Sequence, residues 1–342
     1  MTRFGICGTG RISDWILKGA LQEPRFKATA VCSRSLENAR KFVDRHPEAF
    51  TADAEVFDSY DEFVKSDAID AVYIGTPNST HCDYAVRALE AGKHVLCEKP
   101  LACSAEEVRK MTAAAKASGR MLMEAMVSTL NPNFRAARKL ISKIGKVRHY
   151  NSSFCQYSSK YEALKQGTVA SSFNPLLGGG ALSDVGIYTT YPATALFGRP
   201  ARVQSNLVRY PTEFGPTDIH GTIELGYEGM TAVLSFSKII DSHTPTEICG
   251  EEGNIRMDGI HICRQLSFAP HQAPSSGRGP AALYQIINEG LEKDEYFYEF
   301  EEFINVLEAG KLESEINSLE VSLINREIMT QSCRSSVRLS LP

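Results

Sequence analysis

The sequence predicts an α/β fold in two parts: an N-terminal, doubly wound parallel sheet, then an α+β domain with a large, mostly antiparallel open sheet. Over residues 1–125, short apolar runs alternate with amphipathic segments of helical length. These runs are apolar throughout, as expected for parallel strands that helices cover on both faces. From residue 201 to about residue 268, alternating strand-like segments dominate instead. We therefore divide the chain into domains at residues 1–125 and 126–342.

The N-terminal domain contains five predicted strands, RFGIC, ATAVC, DAVYIG, HVLCE and MLMEA. Helix-like segments accompany them over residues 12–22, 35–45, 59–66, 79–91 and 104–118. Ser104 and Glu107 form a capping box at the start of the last of these helices. Gly92 and Gly119 are typical C-cap residues. Strands that alternate with helices of this length indicate right-handed βαβ units.

The C-terminal domain begins with two helix-like segments, NPNFRAARKLISKIG and GGGALSDVGIYTTYPATALFG. Predicted strands follow in ARVQSNLVRY, GTIELGY, MTAVLSFSK, PTEICG and GNIRMDG. Tyr227, Glu228 and Gly229 are suited to a hairpin turn, which favours antiparallel pairing. A loop rich in Pro, Gly and Ser is predicted over residues 270–283, and two helices over about 294–309 and 315–332.

The composition excludes several classes of function. The chain is 43% hydrophobic and 23% charged, with a net charge of −4 and no Lys/Arg-rich run, so we expect no nucleic-acid partner. No apolar stretch of transmembrane length and no leader are visible, so we expect no membrane partner. Nine cysteines without a C-x-x-C pair favour reduced thiols and a cytoplasmic protein. Metal-ligand spacing is lacking, so we expect no metal.

A glycine-rich turn follows the first strand in GICGTGRIS. Gly8 and Gly10 suit a tight turn that brings the backbone close to a pyrophosphate, and Arg11 and Ile12 begin the next helix. Ser13 replaces the third glycine of the usual fingerprint. A plain turn is the alternative, but the position between strand and helix favours a dinucleotide site in a Rossmann domain.

The end of the second predicted strand indicates which dinucleotide binds. No acidic residue stands there to bind a ribose 2′-hydroxyl. Ser33 and Arg34 are instead suited to a 2′-phosphate. The alternative is a solvated arginine beside Ser35 as a helix cap. We expect NADP(H), with NAD(H) as the alternative cofactor.

Two further segments lie where ligands of open α/β sheets bind, at the carboxyl edge. The first contains Thr76, Pro77 and Asn78, which are predicted to contact the cofactor, although an ordinary turn is the alternative. His81 follows them, and the residues alone leave open whether it faces the cleft or the surface.

The second segment is HVLCEKP, at the end of the next strand. Pro100 disfavours helical geometry at Lys99 and restricts its direction. A lysine at a strand end is usually solvated, but beside a nicotinamide it would stabilise developing alkoxide charge. Glu98 is interpreted as a partner of the cofactor or as a structural residue, rather than as a base.

The helix-like segment GGGALSDVGIYTTYPA carries Asp184, Tyr188 and Tyr191 at spacings that place them on one helical face. A core helix with locally bonded tyrosines is the alternative interpretation.

Together, GICGTGRIS, TPNSTH, AGKHVLCEKPLA and GGGALSDVGIY resemble the glucose–fructose oxidoreductase / inositol dehydrogenase (Gfo/Idh/MocA) family. Tyr188 stands where many members have histidine, and a tyrosine at this position resembles dimeric dihydrodiol dehydrogenase. The resemblance implies Lys99 as the substrate-binding lysine, Tyr188 as acid/base and Asp184 as a substrate-side carboxylate, and it favours His81 as a pocket residue. The segment MEAMVSTLNPNF lacks the aromatic and arginine side chains of the dihydrodiol enzyme.

The resemblance implies hydride transfer between nicotinamide and a carbinol or carbonyl carbon of a small sugar, polyol, cyclic diol or dicarbonyl. It assigns NADP binding to residues 1–125, and substrate binding and oligomerisation to residues 126–342. A homodimer or higher homo-oligomer is implied, packed through the open sheet face. The alternatives are an NADP-binding regulator without turnover and a nicotinamide-dependent glycosidase.

Overall fold

The computed structural model describes residues 1–271, 283–335 and 337–340, and nothing is described of the side chains at 335 and 337–340. The described residues form two units. The first unit contains Met1–Val127 and Glu292–Arg326. The second contains the described residues of Ser128–Leu291 and Glu327–Pro342.

The first unit is built on alternating strands and helices. Their bounds are β1 Thr2–Cys7, α1 Arg11–Ala20, β2 Phe26–Cys32, α2 Leu36–Arg45, β3 Phe50–Phe57, α3 Tyr60–Lys65, β4 Ala71–Ile74, α4 His81–Glu90, β5 His94–Glu98, α5 Ala105–Ser118 and β6 Leu122–Ala125. The six strands form one parallel sheet in the order β3-β2-β1-β4-β5-β6. The order reverses beside β1, and the carboxyl ends of β1 and β4 flank the crevice in which such sheets bind ligands.

Local sequence explains the ends of several elements in this unit. Ser104 accepts a hydrogen bond from the Glu107 N–H and the Glu107 side chain returns one, so the predicted capping box is confirmed. Gly119 ends the same helix with a left-handed φ of 62°, as predicted. Strand β3 was not predicted, because its side chains are mostly part-exposed or exposed at the edge of the sheet.

The second unit begins within α6 Val127–Leu130, whose first residue is the last residue of the first unit. The remaining bounds are α7 Pro132–Leu140, β7 Val147–Cys155, α8 Tyr161–Lys165, α9 Ile187–Phe197, β8 Arg202–Tyr210, β9 Thr217–Tyr227, β10 Met230–Ser237, β11 Thr246–Gly250, β12 Gly253–Met257, β13 Leu266–Pro270 and β14 Gln285–Ile286. The chain ends with α10 Phe297–Glu308, α11 Leu319–Ser335 and β15 Val337–Ser340.

The described strands of the second unit form a sheet in the order β14-β13-β12-β11-β7-β10-β9-β8-β15. The pairs β7–β10 and β8–β15 are parallel and the others are antiparallel, so the predicted mostly antiparallel sheet is confirmed. The predicted hairpin turn at Tyr227 to Gly229 joins β9 to β10. Strand β7, near the centre of the sheet, was not predicted. Most of the loop predicted over 270–283 lies outside the described residues.

The predicted division at residue 125 differs from the structure in one respect. The chain leaves the first unit after Val127, but residues 292–326 belong to that unit again. Phe300 on α10 packs against Phe4 and Phe26, with ring centroids 5.3 and 5.1 Å apart. Burial of these aromatic rings explains why the segment joins the first unit, a contact that the linear sequence does not reveal.

None of the described helices combines the length and the apolar character that crossing a bilayer requires.

Candidate functional site

The glycine turn between β1 and α1 has room and donors for a pyrophosphate. Gly8 has a φ of +101°, and a Cβ there would lie 2.5 Å from the carbonyl oxygen of Gly75, so only glycine fits. A Cβ on Gly10 would meet nothing within 4 Å, which leaves open space above the turn. Gly10 is also the N-cap of α1 and provides no side-chain acceptor for the first-turn N–H groups. These features fit a bound dinucleotide phosphate.

Gly75, directly after the neighbouring strand β4, compensates for the missing third glycine. Ser13 is fully buried on α1, and its Oγ lies 3.0 Å from the position that a Cβ of Gly75 would occupy. Gly75 directly follows β4, so the close approach that the third glycine normally permits is provided there instead. The turn therefore keeps dinucleotide-binding geometry despite Ser13.

The predicted 2′-phosphate residues follow β2. Ser33 is half-buried, and its Oγ is 3.0 Å from Thr9 Oγ1 in the glycine turn. Arg34 is exposed. Arg11 is exposed at the start of α1, with its guanidinium carbon 6.0 Å from the centre of the Trp15 ring, and Ile12 beside it is half-buried. Two hydroxyl groups and a nearby guanidinium suit a phosphate on the ribose.

His81 joins the loops that follow β4 and β5. Its Nε2 is 2.9 Å from the Thr76 carbonyl oxygen, and its Nδ1 is 2.9 Å from the Pro100 carbonyl oxygen. The ring is fully buried, and burial lowers the pKa of His81. The neutral ring carries one N–H and donates to one of these carbonyls at a time. The burial of the ring and its two carbonyl neighbours favour a role in holding the two loops, and the expectation of a pocket-facing, catalytic His81 stays a prediction.

The loop after β4 contains the other predicted cofactor contacts. Pro77 is exposed, while Thr76 and Asn78 are half-buried. Thr76 Oγ1 is 2.7 Å from Thr80 Oγ1, and Thr80 Oγ1 donates to the Pro77 carbonyl oxygen over 2.8 Å. These bonds hold the turn closed at the carboxyl edge of the sheet, where a cofactor would contact it.

Glu98 is buried at the end of β5. Its Oε1 accepts a 2.8 Å hydrogen bond from the Tyr73 hydroxyl, and its Oε2 accepts a 3.2 Å bond from the backbone N–H of Lys99. Burial raises the pKa of Glu98, and the positive charge of Lys99 opposes that rise. Lys99 is half-buried, and its peptide bond to Pro100 is cis. Glu98 is thus a buried anchor for the backbone that carries Lys99.

Two further buried carboxyl groups near this loop were missed by sequence reasoning. Glu299 on α10 is 1% exposed and its Oε2 has no hydrogen-bond partner among the described residues; burial, and then the charge of Glu98, raise its pKa. Glu124 accepts a 2.8 Å hydrogen bond from the Leu101 N–H, and burial raises its pKa to about 7. Their only sequence signal is a charged residue within an apolar run, which does not reveal a partner.

In the second unit, Asp184 lies in a π-helical turn, Leu182–Gly186, that continues into α9. The wider turn replaces the regular α-helix that the pattern assumes at Asp184, while Tyr188 and Tyr191 both lie on α9, and a shared face for the three residues stays a prediction. Asp184 Oδ2 forms a 2.6 Å ion pair with Lys238, and 36% of the Asp184 side chain remains accessible. Tyr191 is fully buried.

Tyr188 packs edge-on against two stacked rings of the same unit, those of Phe154 and His261. The His261 ring is perpendicular to it, with centroids 4.4 Å apart, and Phe154 is 5.3 Å away in a similar edge arrangement. Tyr188 itself is 9% exposed. These neighbours hold the phenol in one orientation, and neither was predicted because they come from β7 and from the loop before β13.

Comparison with known proteins identifies the family. Residues 2–126 match the Gfo/Idh/MocA model, described as an oxidoreductase family with an NAD-binding Rossmann fold. Residues 134–256 match the GFO/IDH/MocA C-terminal domain.

Two curated relatives and one solved structure agree with this assignment. Scyllo-inositol 2-dehydrogenase (NADP(+)) of Bacillus subtilis (strain 168) is 43% identical over 332 residues, which cover 97% of this chain and 96% of that protein. Trans-1,2-dihydrobenzene-1,2-diol dehydrogenase of Xenopus laevis is 34% identical over 265 residues, 75% of each chain. A 3-ketoreductase from Actinomadura kijaniata, solved with NADP and TDP-benzene, is 24% identical and has a TM-score of 0.82 over 100% of this chain and 99% of its own.

The last comparison shows the fold, and the curated relatives are dehydrogenases. The predicted two-sheet α/β fold and the expectation of an enzyme are both confirmed. This chain belongs to the Gfo/Idh/MocA family of oxidoreductases.

Proposed function

We propose that the protein is an NADP(H)-dependent dehydrogenase that oxidises a secondary hydroxyl group of a cyclic polyol, with an inositol as the first candidate. One observation carries the choice of substrate: the 43% identity, over nearly the whole of both chains, to a scyllo-inositol 2-dehydrogenase. The choice of NADP(H) is supported independently by Arg34, Ser33 and Thr9 at the end of β2 and in the glycine turn.

We propose that Lys99 and Tyr188 act on the same substrate oxygen. The bound nicotinamide supplies hydride acceptance when an alcohol is oxidised and hydride donation in the reverse direction. The Lys99 ammonium stabilises the developing alkoxide charge, while Tyr188, acting as a phenolate, takes up the hydroxyl proton and becomes the neutral phenol, which returns that proton in the reverse direction. Asp184 accepts a hydrogen bond from a neighbouring hydroxyl and so orients the ring.

The support for these roles is local to each unit. Glu98 and Tyr73 anchor the backbone on which Lys99 stands. Phe154 and His261 hold the Tyr188 ring. Side chains that are held in this way lose less entropy when a substrate binds, which favours catalysis.

The test is a spectrophotometric screen of inositol isomers, other cyclic diols and aldoses with NADP(+) and NAD(+). We expect reduction of NADP(+) with an inositol, and loss of turnover in Lys99→Met with NADPH binding unchanged within a few-fold. Quenching of Trp15 fluorescence can report binding, because this single tryptophan lies 45% exposed on α1. Cofactor binding without turnover of any substrate would contradict the proposal and favour a regulator. Sugar release without net cofactor reduction would favour a glycosidase.

We also propose a homo-oligomer packed through the outward face of the large sheet. Strand β9 alternates buried and part-exposed residues, so within the described part of the unit one face is covered and the other stays partly exposed. Across that outer face, Ser153, Ser235, Thr222 and Asn206 form one row on four neighbouring strands. Small neutral side chains in a flat row suit close packing against the same face of a second copy.

We also propose that the protein is cytoplasmic. All nine cysteines are free thiols in the structure, as a reducing compartment would keep them.

A further inference from the structure

Lys238, directly after β10, is a buried lysine surrounded by three favourable groups. Its side chain is 3% exposed, and its Nζ is 2.6 Å from Asp184 Oδ2. The same nitrogen donates a 2.8 Å hydrogen bond to the Ser172 carbonyl oxygen and lies 3.9 Å from the centre of the Phe173 ring. A carboxylate, a carbonyl and an aromatic face together replace the water that the ammonium loses.

Packing alone does not explain a charge at this position. Removing an ammonium ion from water is costly, and a hydrophobic residue of similar volume is often as stable or more stable in place of a buried ion pair. Asp184 is not itself fully buried, so the pair joins a buried cation to a carboxylate that is partly accessible. This asymmetry fits a lysine that orients the carboxylate for a ligand rather than one that only fills the core.

Hydrogen bonds also fix the backbone around Lys238 and Asp184. Asp218 on β9 accepts a 2.5 Å hydrogen bond from the Leu182 N–H, at the start of the π-helical turn. Gly180 has a φ of +131°, and a Cβ there would collide with the Asp218 carboxylate. The backbone N–H of Lys238 donates to the carbonyl oxygen of Ile219, next to Asp218. The turn that carries Asp184 is therefore held at its first residue by Asp218 and at its third by Lys238.

We propose that Lys238 is a positioning residue that fixes the carboxylate of Asp184 for substrate binding and ties the segment at Ser172 and Phe173 to it. This inference rests on the proposed role of Asp184. It predicts that Lys238 affects substrate recognition although it contacts neither substrate nor cofactor.

The experiment compares four variants of the full chain: Lys238→Met, Lys238→Arg, Asp184→Asn and the double variant Lys238→Met/Asp184→Asn. We expect Lys238→Met to lower kcat/KM for the polyol about 100-fold, the loss that a misplaced positioning group can cause, with most of the change in KM. Lys238→Arg, which keeps the charge, should recover part of the loss. NADPH affinity should stay within about two-fold in every variant.

The double variant separates positioning from a merely structural role. If Lys238 acts through Asp184, the double variant should be no worse than the more damaging single change. Lys160→Met is the matched control, because Lys160 is an exposed lysine in the same unit; it should retain wild-type kinetics.

Three results would overturn the inference. Wild-type kcat/KM in Lys238→Met, while Asp184→Asn is impaired, would show that Lys238 does not position Asp184. Additive losses in the double variant would show that it acts elsewhere. An unimpaired Asp184→Asn would remove the proposed role of Asp184, and with it this inference, while turnover in the substrate screen would leave the dehydrogenase assignment standing.

Discussion

Glu124→Gln should make the first unit more stable at alkaline pH than the wild-type chain. Glu124 is 2% exposed at the end of β6, where it accepts a hydrogen bond from the Leu101 N–H and one from the Ser322 side chain. Burial is the largest effect on its pKa and raises it from 4.5 to about 7. Gln keeps an acceptor for Leu101 and remains neutral at every pH.

The sign and size follow from the pKa. The folded chain holds the proton more tightly than the unfolded chain, so wild-type stability falls as pH rises from about 4.5 to about 7 and then levels off. The difference between the two pKa values corresponds to about 3 kcal/mol. The variant lacks this loss. The difference in free energy of unfolding, variant minus wild type, should therefore be about 3 kcal/mol larger at about pH 8 than at about pH 4.5.

The assay is urea unfolding followed by Trp15 fluorescence, because Trp15 lies in the first unit. Glu90→Gln is the control: Glu90 is exposed at the end of α4, and its substitution should not change the pH dependence. If Glu124→Gln and wild type show parallel pH profiles, Glu124 is ionised in the folded chain and the reasoning is wrong.

Three further predictions concern the cofactor site, its packing and the oligomer. Arg34→Ala should raise the Kd for NADPH about 10- to 100-fold with little effect on the Kd for NADH, because a charge-assisted bond to the 2′-phosphate is lost. Equal losses of affinity in titrations with both cofactors would contradict this prediction. An equal effect of Arg138→Ala, the exposed control, would contradict it as well. Gly75→Ala should lower the free energy of unfolding by about 1–3 kcal/mol, since its Cβ would lie 2.8 Å from Tyr73 Cε1 and 3.0 Å from Ser13 Oγ. Gly10→Ala, with open space around it, should leave urea unfolding of the apoprotein nearly unchanged, and similar losses in both variants would refute the packing argument. If the chain forms the proposed homo-oligomer, Ser235→Arg should convert it to monomers in light scattering, whereas an oligomer of unchanged mass would exclude this face as the interface.

Five of the six strands of the first sheet could be predicted because they are mostly buried on both faces. Strand β5, for example, reads as a continuous apolar run up to Glu98. Strand β7 in the second sheet was missed, since VRHYNSSFC carries polar residues without a clear alternation. Strand β3 at the edge was missed although FTADAEVF alternates apolar and polar residues over 50–56, because it lacks the continuous apolar run that marks the other strands of its sheet. Apolar patterning reports burial, and β7 pairs with β10 and β11, which are distant in the sequence.

The position of a candidate site residue in the fold could be predicted best where a motif places that residue at a strand end. Gly8, Glu98 and Lys99 follow from that rule. The partners of the site residues could not be found in this way. Lys238 meets Asp184, and His261 meets Tyr188, through tertiary contacts that leave no local signal. The π-helical turn likewise replaces the regular spacing that the sequence pattern assumes.

The most direct test of the proposed chemistry is a crystal structure of the chain with NADPH and scyllo-inositol. These two molecules cannot react with each other, because the cofactor and the polyol are both in their reduced form. We expect Lys99 Nζ and Tyr188 Oη both to lie within about 3.2 Å of one inositol oxygen, at hydrogen-bonding distance. An inositol bound with either group directed to a different region would contradict the proposal.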